Sequence, residues 1–118
     1  MQFVETSESI TELISALGKA QLKMSNPHFD SVNPHFKNRY ASLAAVRDAI
    51  TVPLAEEGLL VTQHPSADEK YVYCTTVLAH VSGQFLSSTL KIPVSKMDAQ
   101  GFGSALTYAR RYALQAIC

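Results

Sequence analysis

The residues best suited to chemistry lie near the end of the chain, where positions 101–114 read GFGSALTYARRYAL. The neighbouring Arg110 and Arg111 carry guanidinium groups, which bind phosphate through paired hydrogen bonds. Tyr108 offers a flat ring on which a nucleobase can stack. Together these residue types predict contact with single-stranded nucleic acid. The alternative is that the arginines pair with surface acids and the tyrosines fill gaps in the packing.

A second basic and aromatic segment, residues 37–40, contains Lys37, Arg39 and Tyr40. It ends a long polar loop that we expect over residues 25–41, and this loop contains the tetrapeptide Asn-Pro-His-Phe twice. Two copies are too few for a repeat protein. A loop of this length inside a compact domain is usually functional or disordered.

The chain has 10 basic and 10 acidic residues and therefore no net charge, but the charges are unevenly spread. Ahead of Asp48, only Asp30 accompanies a basic run made of Lys19, Lys23, Lys37, Arg39 and Arg47. Late in the chain, only Asp98 accompanies Lys91, Lys96, Arg110 and Arg111. Local field rather than total charge steers a polyanion, although an ordinary solvated surface can show the same pattern.

Other chemistries have weaker support in the sequence. His28, Asp30 and His35 could bind a metal ion, and a metal-dependent nuclease could use Asp30, Asp98 and the loop histidines. However, a two-metal nuclease requires several clustered carboxylates. The Gly-x-Gly at 101–103 lacks the third glycine and the βαβ setting of a nucleotide fingerprint. We therefore expect no catalytic residue, no bound metal and no cofactor.

The composition indicates one packed domain. The chain has 118 residues, of which 47% are hydrophobic and 17% charged, as in globular proteins. No stretch reaches the roughly 18 apolar residues that a membrane helix needs. The first 12 residues include three acids and no base, unlike a signal peptide. With only two cysteines, an intracellular location and no membrane contact are expected.

Hydrophobic periodicity predicts helices over about 8–24, 42–57 and 99–117, the first beginning with a capping box of Ser9 and Glu12. Strands are predicted over 59–64, 71–81 and 84–92, with a hairpin turn at Ser82-Gly83. In the third strand, Leu90 and Ile92 point one way and Lys91 the other. This order predicts an α+β fold in which helices pack on one side of a three-stranded antiparallel meander.

Three segments of the chain resemble one family of proteins. Residues 107–112, TYARRY, preceded by Gly-Ser-Ala, resemble the signature of the Erf (essential recombination function) family of phage single-strand annealing proteins. The segment NPHFKNRYASL at 33–43 is similar to that family's other motif, and LAEEGLLV at 54–61 to its helix-to-strand junction. The resemblance covers about residues 10–118. The extra Asn-Pro-His-Phe at 26–29 departs from the family's pattern and has no assigned role.

The resemblance implies that the chain anneals complementary single strands in phage homologous recombination, without ATP and as a ring or helical filament. It implies a β-β-β-α core like that of the eukaryotic strand-annealing mediators, and a bacterial host's cytoplasm as the location. Residues 1–118 would then be a single DNA-binding and oligomerisation domain. A flexible tail would follow, through which an exonuclease or a single-strand-binding protein of phage or host could be engaged.

The predicted DNA site combines positions that the resemblance carries over with residues suited by chemistry. Carried over by position are Lys37, Arg39, Tyr40, Arg110 and Arg111. Adding Lys91 and Lys96 gives one predicted groove that continues across subunits, with Tyr40 and Tyr108 as stacking residues. An annealing protein must grip the backbone and leave base edges free, which requires sequence-blind cationic contacts. A nuclease and a purely structural ring-forming protein remain the alternatives.

Overall fold

The computed structural model describes residues 4–32 and 39–117. Three helices and six strands follow one another as β1 (Val4–Thr6), α1 (Thr11–Lys23), β2 (Ser31–Val32), β3 (Arg39–Tyr40), α2 (Leu43–Glu56), β4 (Leu59–Ala67), β5 (Tyr71–His80), β6 (Phe85–Pro93) and α3 (Ala99–Gln115). The α+β class predicted from the sequence is confirmed.

The main sheet has four strands in the order β1-β6-β5-β4, and every neighbouring pair is antiparallel. The sequence predicted three strands, and the prediction was wrong because β1 adds to the free edge of β6, with Glu5 opposite Ser87. Three residues are too few to show the period-2 pattern that identifies a strand. β2 and β3 form a separate two-stranded sheet.

Glycines fix two of the chain reversals at the positions that the sequence indicated. Gly83 has a φ of 94° in the β5–β6 hairpin, and Gly58 has a φ of 72° after α2. Side chains other than glycine rarely adopt this backbone region. A β-carbon on Gly58 would also meet the Val81 side chain at 3.1 Å. Both positions therefore require glycine.

The two faces of the sheet differ because side chains alternate along each strand. On β5, the side chains of Val72, Cys74, Thr76 and Leu78 are buried. Leu59 and Leu78 pack with Leu13, Val46 and Leu114 of the three helices in one hydrophobic core. The intervening residues, such as Tyr71 and Tyr73, are only half-buried on the opposite face. Burial raises the pKa of the Cys74 thiol.

Helix α1 begins at Thr11, later than predicted, and the expected capping box is absent. Its N-cap residue, Ile10, makes no side-chain cap. The preceding chain is committed to β1 instead, and the Ser7 hydroxyl accepts a hydrogen bond from the Phe85 backbone N–H at 3.0 Å. A side chain distant in the sequence caps a backbone N–H in the first turn instead, because Gln84 Oε1 accepts a hydrogen bond from the Leu13 N–H at 3.0 Å. Tertiary contacts thus replaced a local cap.

Candidate nucleic-acid interface

Helix α3 presents one side to the core and another to solvent. Asp98 begins the helix, and its carboxylate accepts a hydrogen bond from the Gly101 backbone N–H at 2.7 Å. A β-carbon on Gly101 would overlap the Lys96 carbonyl oxygen, so only glycine allows this close approach. Ala109 and Leu114 are buried. Because the helix has 3.6 residues per turn, these buried positions direct Tyr108 and Arg111 outward.

Arg111 lies among three tyrosines. Its guanidinium carbon is 4.5 Å from the ring centroid of Tyr40, 5.5 Å from that of Tyr108 and 5.6 Å from that of Tyr112. The Tyr108 and Tyr112 ring centroids are 4.4 Å apart, and these two residues are 43% and 48% exposed. A cation over a ring face is attracted by the ring's quadrupole. We call these four residues the arginine–tyrosine cluster.

Tyr40 reaches this cluster because short-range contacts close the polar loop. Ser31 pairs with Tyr40 across the β2–β3 sheet. The Asp30 carboxylate accepts hydrogen bonds from the backbone N–H of Ser42 at 2.8 Å and from its hydroxyl at 2.6 Å. These bonds hold the pKa of Asp30 below its ordinary value. Ser42 in turn caps α2 by accepting from the Ala45 backbone N–H at 3.1 Å.

Arg39 lies next to Tyr40 on β3, and its guanidinium donates a hydrogen bond to the carbonyl oxygen of Phe29. Phe29 belongs to the first Asn-Pro-His-Phe, which had no assigned role from the sequence. The structure gives its backbone one, as an anchor for the predicted DNA contact Arg39. The second copy and the predicted contact Lys37 lie outside the described residues.

A shallow surface extends from the arginine–tyrosine cluster toward the start of α3. Tyr40, Tyr108 and Arg111 line one depression of about 580 Å³. Tyr108 also lines a neighbouring depression of about 580 Å³, together with Lys96. Small side chains on α3, including Ser104, lie between them. Four of the predicted site residues, Lys96, Tyr108, Arg111 and Tyr40, therefore lie along one surface.

Arg110 faces a different part of the molecule. Its Nε donates to Gln63 Oε1 at 3.2 Å, and Gln63 Nε2 donates to the Arg110 carbonyl oxygen at 3.1 Å. Gln63 Nε2 also donates to the buried Thr76 hydroxyl at 3.0 Å. Arg110 and Gln63 line a groove of about 350 Å³ between α2, β4 and α3, and Arg47 lines it with them. We call this the α2–β4 groove.

Lys91 lies on the sheet face opposite α3, as its place in the strand alternation indicated. Its ammonium group is 4.1 Å from the ring centroid of Tyr71, and it is paired in register with Tyr73. Within this one chain, the described residues of the predicted groove therefore do not lie on a single surface. They divide among the α3 outer surface, the α2–β4 groove and the open face of the sheet, while Arg39 lies on β3 and binds the Phe29 carbonyl oxygen.

The two carboxylates that a nuclease would use, those of Asp30 and Asp98, form hydrogen bonds at the starts of helices α2 and α3. Asp30 binds the Ser42 cap of α2, and Asp98 caps α3. Within residues 4–32 and 39–117, no group of three metal-ligating side chains comes together. In the same residues, the ion pairs are those of Lys23 with Glu56 and Glu57. The arginines of this part of the chain therefore do not pair with its acids.

Sequence reasoning missed three members of these surfaces. Tyr112 was given no role, although its ring centroid lies 5.6 Å from the Arg111 guanidinium carbon. Arg47 belongs to the basic run that only Asp30 accompanies ahead of Asp48. That local excess of positive charge was the signal in the sequence that could have identified it. Gln63 lies on the same face of β4 as Leu59 and Val61, the face that points toward the core. A polar residue among inward-facing apolar ones is the signal that could have identified it from the sequence.

On this α+β domain the half-buried guanidinium group of Arg111 lies beside the exposed rings of Tyr108 and Tyr112, and cations combined with aromatic rings are used to bind single-stranded nucleic acid. The family model of the ERF superfamily matches residues 13–118, and the chain belongs to this superfamily. That membership is consistent with a role in phage recombination and strand annealing. Comparison with curated proteins and with solved structures found no match. Among the described helices, none is long and apolar enough to cross a membrane.

Proposed function

We propose that this chain binds single-stranded DNA and anneals complementary strands in phage homologous recombination. It does so as a homo-oligomer, without ATP and without making or breaking a covalent bond. Membership of the ERF superfamily supports the annealing role. The observation that carries the DNA contact is Arg111, which has no acidic partner among the described residues and lies beside exposed tyrosine rings.

The arginine–tyrosine cluster suits a single strand better than a duplex. The guanidinium group can grip a backbone phosphate, while Tyr108 and Tyr112 present ring faces that an unpaired base can contact. Neither interaction reads a sequence, so any strand is accepted and base edges remain free to pair. An oligomer repeats this site, and many modest contacts then act together on one strand.

Replacing Arg111 tests this function. We expect Arg111→Ala to weaken binding of a labelled oligonucleotide at least tenfold, since a hydrogen bond to a charged group contributes about 1.5–3 kcal/mol. The slope of log affinity against log salt should fall by about 0.7 for each phosphate that the variant no longer binds. Annealing of two complementary oligonucleotides, measured without ATP, should slow in parallel.

Lys19→Ala is the matched control, because it removes one positive charge from an exposed position on α1. It should leave affinity, salt slope and annealing near the wild-type values. Unchanged binding in Arg111→Ala, with the oligomer intact, would remove the assigned contact. Magnesium-dependent loss of the labelled oligonucleotide, abolished by EDTA, would favour the nuclease alternative instead.

A further inference from the structure

We infer that the α2–β4 groove is a further phosphate-binding site for single-stranded nucleic acid, in which Arg47 acts together with Arg110. This inference rests on the proposed function and adds a second binding surface to it. The groove is separate from the arginine–tyrosine cluster, since the two share no lining residue. Its volume of about 350 Å³ is within the usual range of ligand sites, about 300–1,000 Å³.

Arg110 is held in a fixed orientation at this groove. Two hydrogen bonds join it to Gln63, one through the side-chain Nε and one through the backbone carbonyl. Thr76, which is buried, holds Gln63 from the other side. The Nε bond leaves the two terminal amino groups of the guanidinium without a partner among the described residues. Such a preorganised pair of donors matches two phosphate oxygens.

Arg47 supplies a second cation to the same groove from α2. It is exposed and forms no ion pair with any described acid. Among the described residues that line the groove, none is Asp or Glu. Two guanidinium groups that no acid neutralises create a local positive field, which favours an anion with more than one charge. A phosphodiester backbone has that chemistry.

The remaining lining explains why the ligand is a backbone and not a stacked base. The buried part of its lining is aliphatic, with Ile50, Leu54 and Leu59, and within residues 4–32 and 39–117 no aromatic side chain lines the groove. Thr51 also lines the groove, and its hydroxyl donates to the backbone carbonyl oxygen of Arg47 at 2.6 Å. The groove therefore offers charge and hydrogen bonds but no ring face. A carboxylate-rich segment of another protein would be attracted by the same cations, and in that case Arg47→Ala would leave oligonucleotide affinity unchanged.

The test measures binding of a fluorescent oligothymidylate by Arg47→Ala at several salt concentrations, with Lys19→Ala as the control. Arg47→Ala should bind about tenfold more weakly, as expected when a charged hydrogen bond is removed. Its salt slope should fall by about 0.7. Gln63→Glu is a second variant, since a carboxylate beside the Arg110 Nε would neutralise one of the two positive charges of the groove, and it should also weaken binding. Thermal unfolding checks that each variant is folded.

Two outcomes would overturn the inference while leaving the proposed function intact. In the first, Arg47→Ala and Gln63→Glu bind like wild type while Arg111→Ala binds weakly. In the second, Arg47→Ala changes the mass of the oligomer and leaves DNA affinity unchanged, which would make the groove an interface between protein subunits. If wild-type protein fails to bind the oligonucleotide, the proposed function and this inference are both wrong.

Discussion

Arg110 and Arg111 are neighbours in the sequence but belong to two different regions of the molecule. Arg111 lies in the arginine–tyrosine cluster, where ring faces surround its guanidinium at 4.5–5.6 Å. Arg110 lies in the α2–β4 groove, where Gln63 binds it through directional hydrogen bonds. One region combines charge with aromatic surface, and the other combines charge with an aliphatic floor.

The difference shows how a short basic pair can serve two surfaces. Successive residues of an α-helix are rotated by about 100°, because one turn contains 3.6 residues. Contacts with ring faces tolerate several orientations of a guanidinium, whereas the Gln63 bonds fix one. We therefore expect the cluster to accommodate a moving strand and the groove to hold a phosphate in one place.

The largest effect is expected when each region loses one arginine, Arg111 from the cluster and Arg110 from the groove, where Arg47 remains. Each single substitution to alanine should cost about 1.5–3 kcal/mol of binding free energy. If the regions act independently, Arg110→Ala combined with Arg111→Ala should cost the sum of the two within about 0.5 kcal/mol. Binding of an oligonucleotide by the two single variants and the double variant measures this coupling.

A coupling energy well above that margin would mean that the two arginines grip the same phosphate. The separation of cluster and groove would then be irrelevant to DNA binding. Arg110→Lys and Arg111→Lys refine the measurement, because lysine keeps the charge but loses the planar fork.

A smaller effect should separate aromatic from ionic contributions. Tyr108→Ala should weaken binding by about 1–3 kcal/mol, the usual contribution of one stacked base. The salt slope should not change, because the substitution removes no charge. Interaction with Tyr112 raises the pKa of Tyr108, so the ring remains a neutral phenol at pH 7.

Tyr108→Phe keeps the ring and is the matched control, which should bind like wild type. An oligonucleotide with abasic sites should bind wild type and Tyr108→Ala equally well. If Tyr108→Ala still weakens binding of the abasic strand, the tyrosine supports the fold of the cluster and does not stack on bases.

The smallest effect concerns the pH dependence of the hydrogen bonds that position Tyr40 in the cluster and Gln63 in the groove. Hydrogen bonds from Ser42 lower the pKa of Asp30 from its ordinary 3.8. The charged form therefore stabilises the β3–α2 junction above about pH 4, and this stabilisation is lost as pH falls through the lowered pKa. Tyr40 belongs to this junction, whereas Gln63 is supported from the buried side of the sheet. NMR signals of Tyr40 should change at acidic pH before those of Gln63.

Asp30→Asn provides the control, because its amide oxygen can still accept from Ser42 but does not titrate. The Tyr40 signals should then be insensitive to pH in this range. If they titrate as in wild type, another carboxyl group is responsible.

Much of the fold could be predicted because local rules govern it. The sequence indicated α2 and α3, the reversals at Gly58 and Gly83, and the strands that became β4, β5 and β6. The predicted and observed ends of these helices and strands differ by a few residues. For example, β4 was predicted to end at residue 64 but continues to Ala67. The start of α1 could not be predicted, because pairing with β6 and the distant Gln84 side chain outweigh the local capping pattern.

The sequence by itself determined which residue types are present and which face of an element carries them. Strand alternation placed Lys91 away from Leu90, and the 3.6-residue turn of a helix separates Tyr108 and Arg111 from the buried Ala109. Only the tertiary structure decided which partners meet there. Tyr40 joins Arg111, and Gln63 joins Arg110, across long stretches of chain. Side-chain periodicity is a local property of the backbone, whereas these contacts depend on how helices and strands pack together.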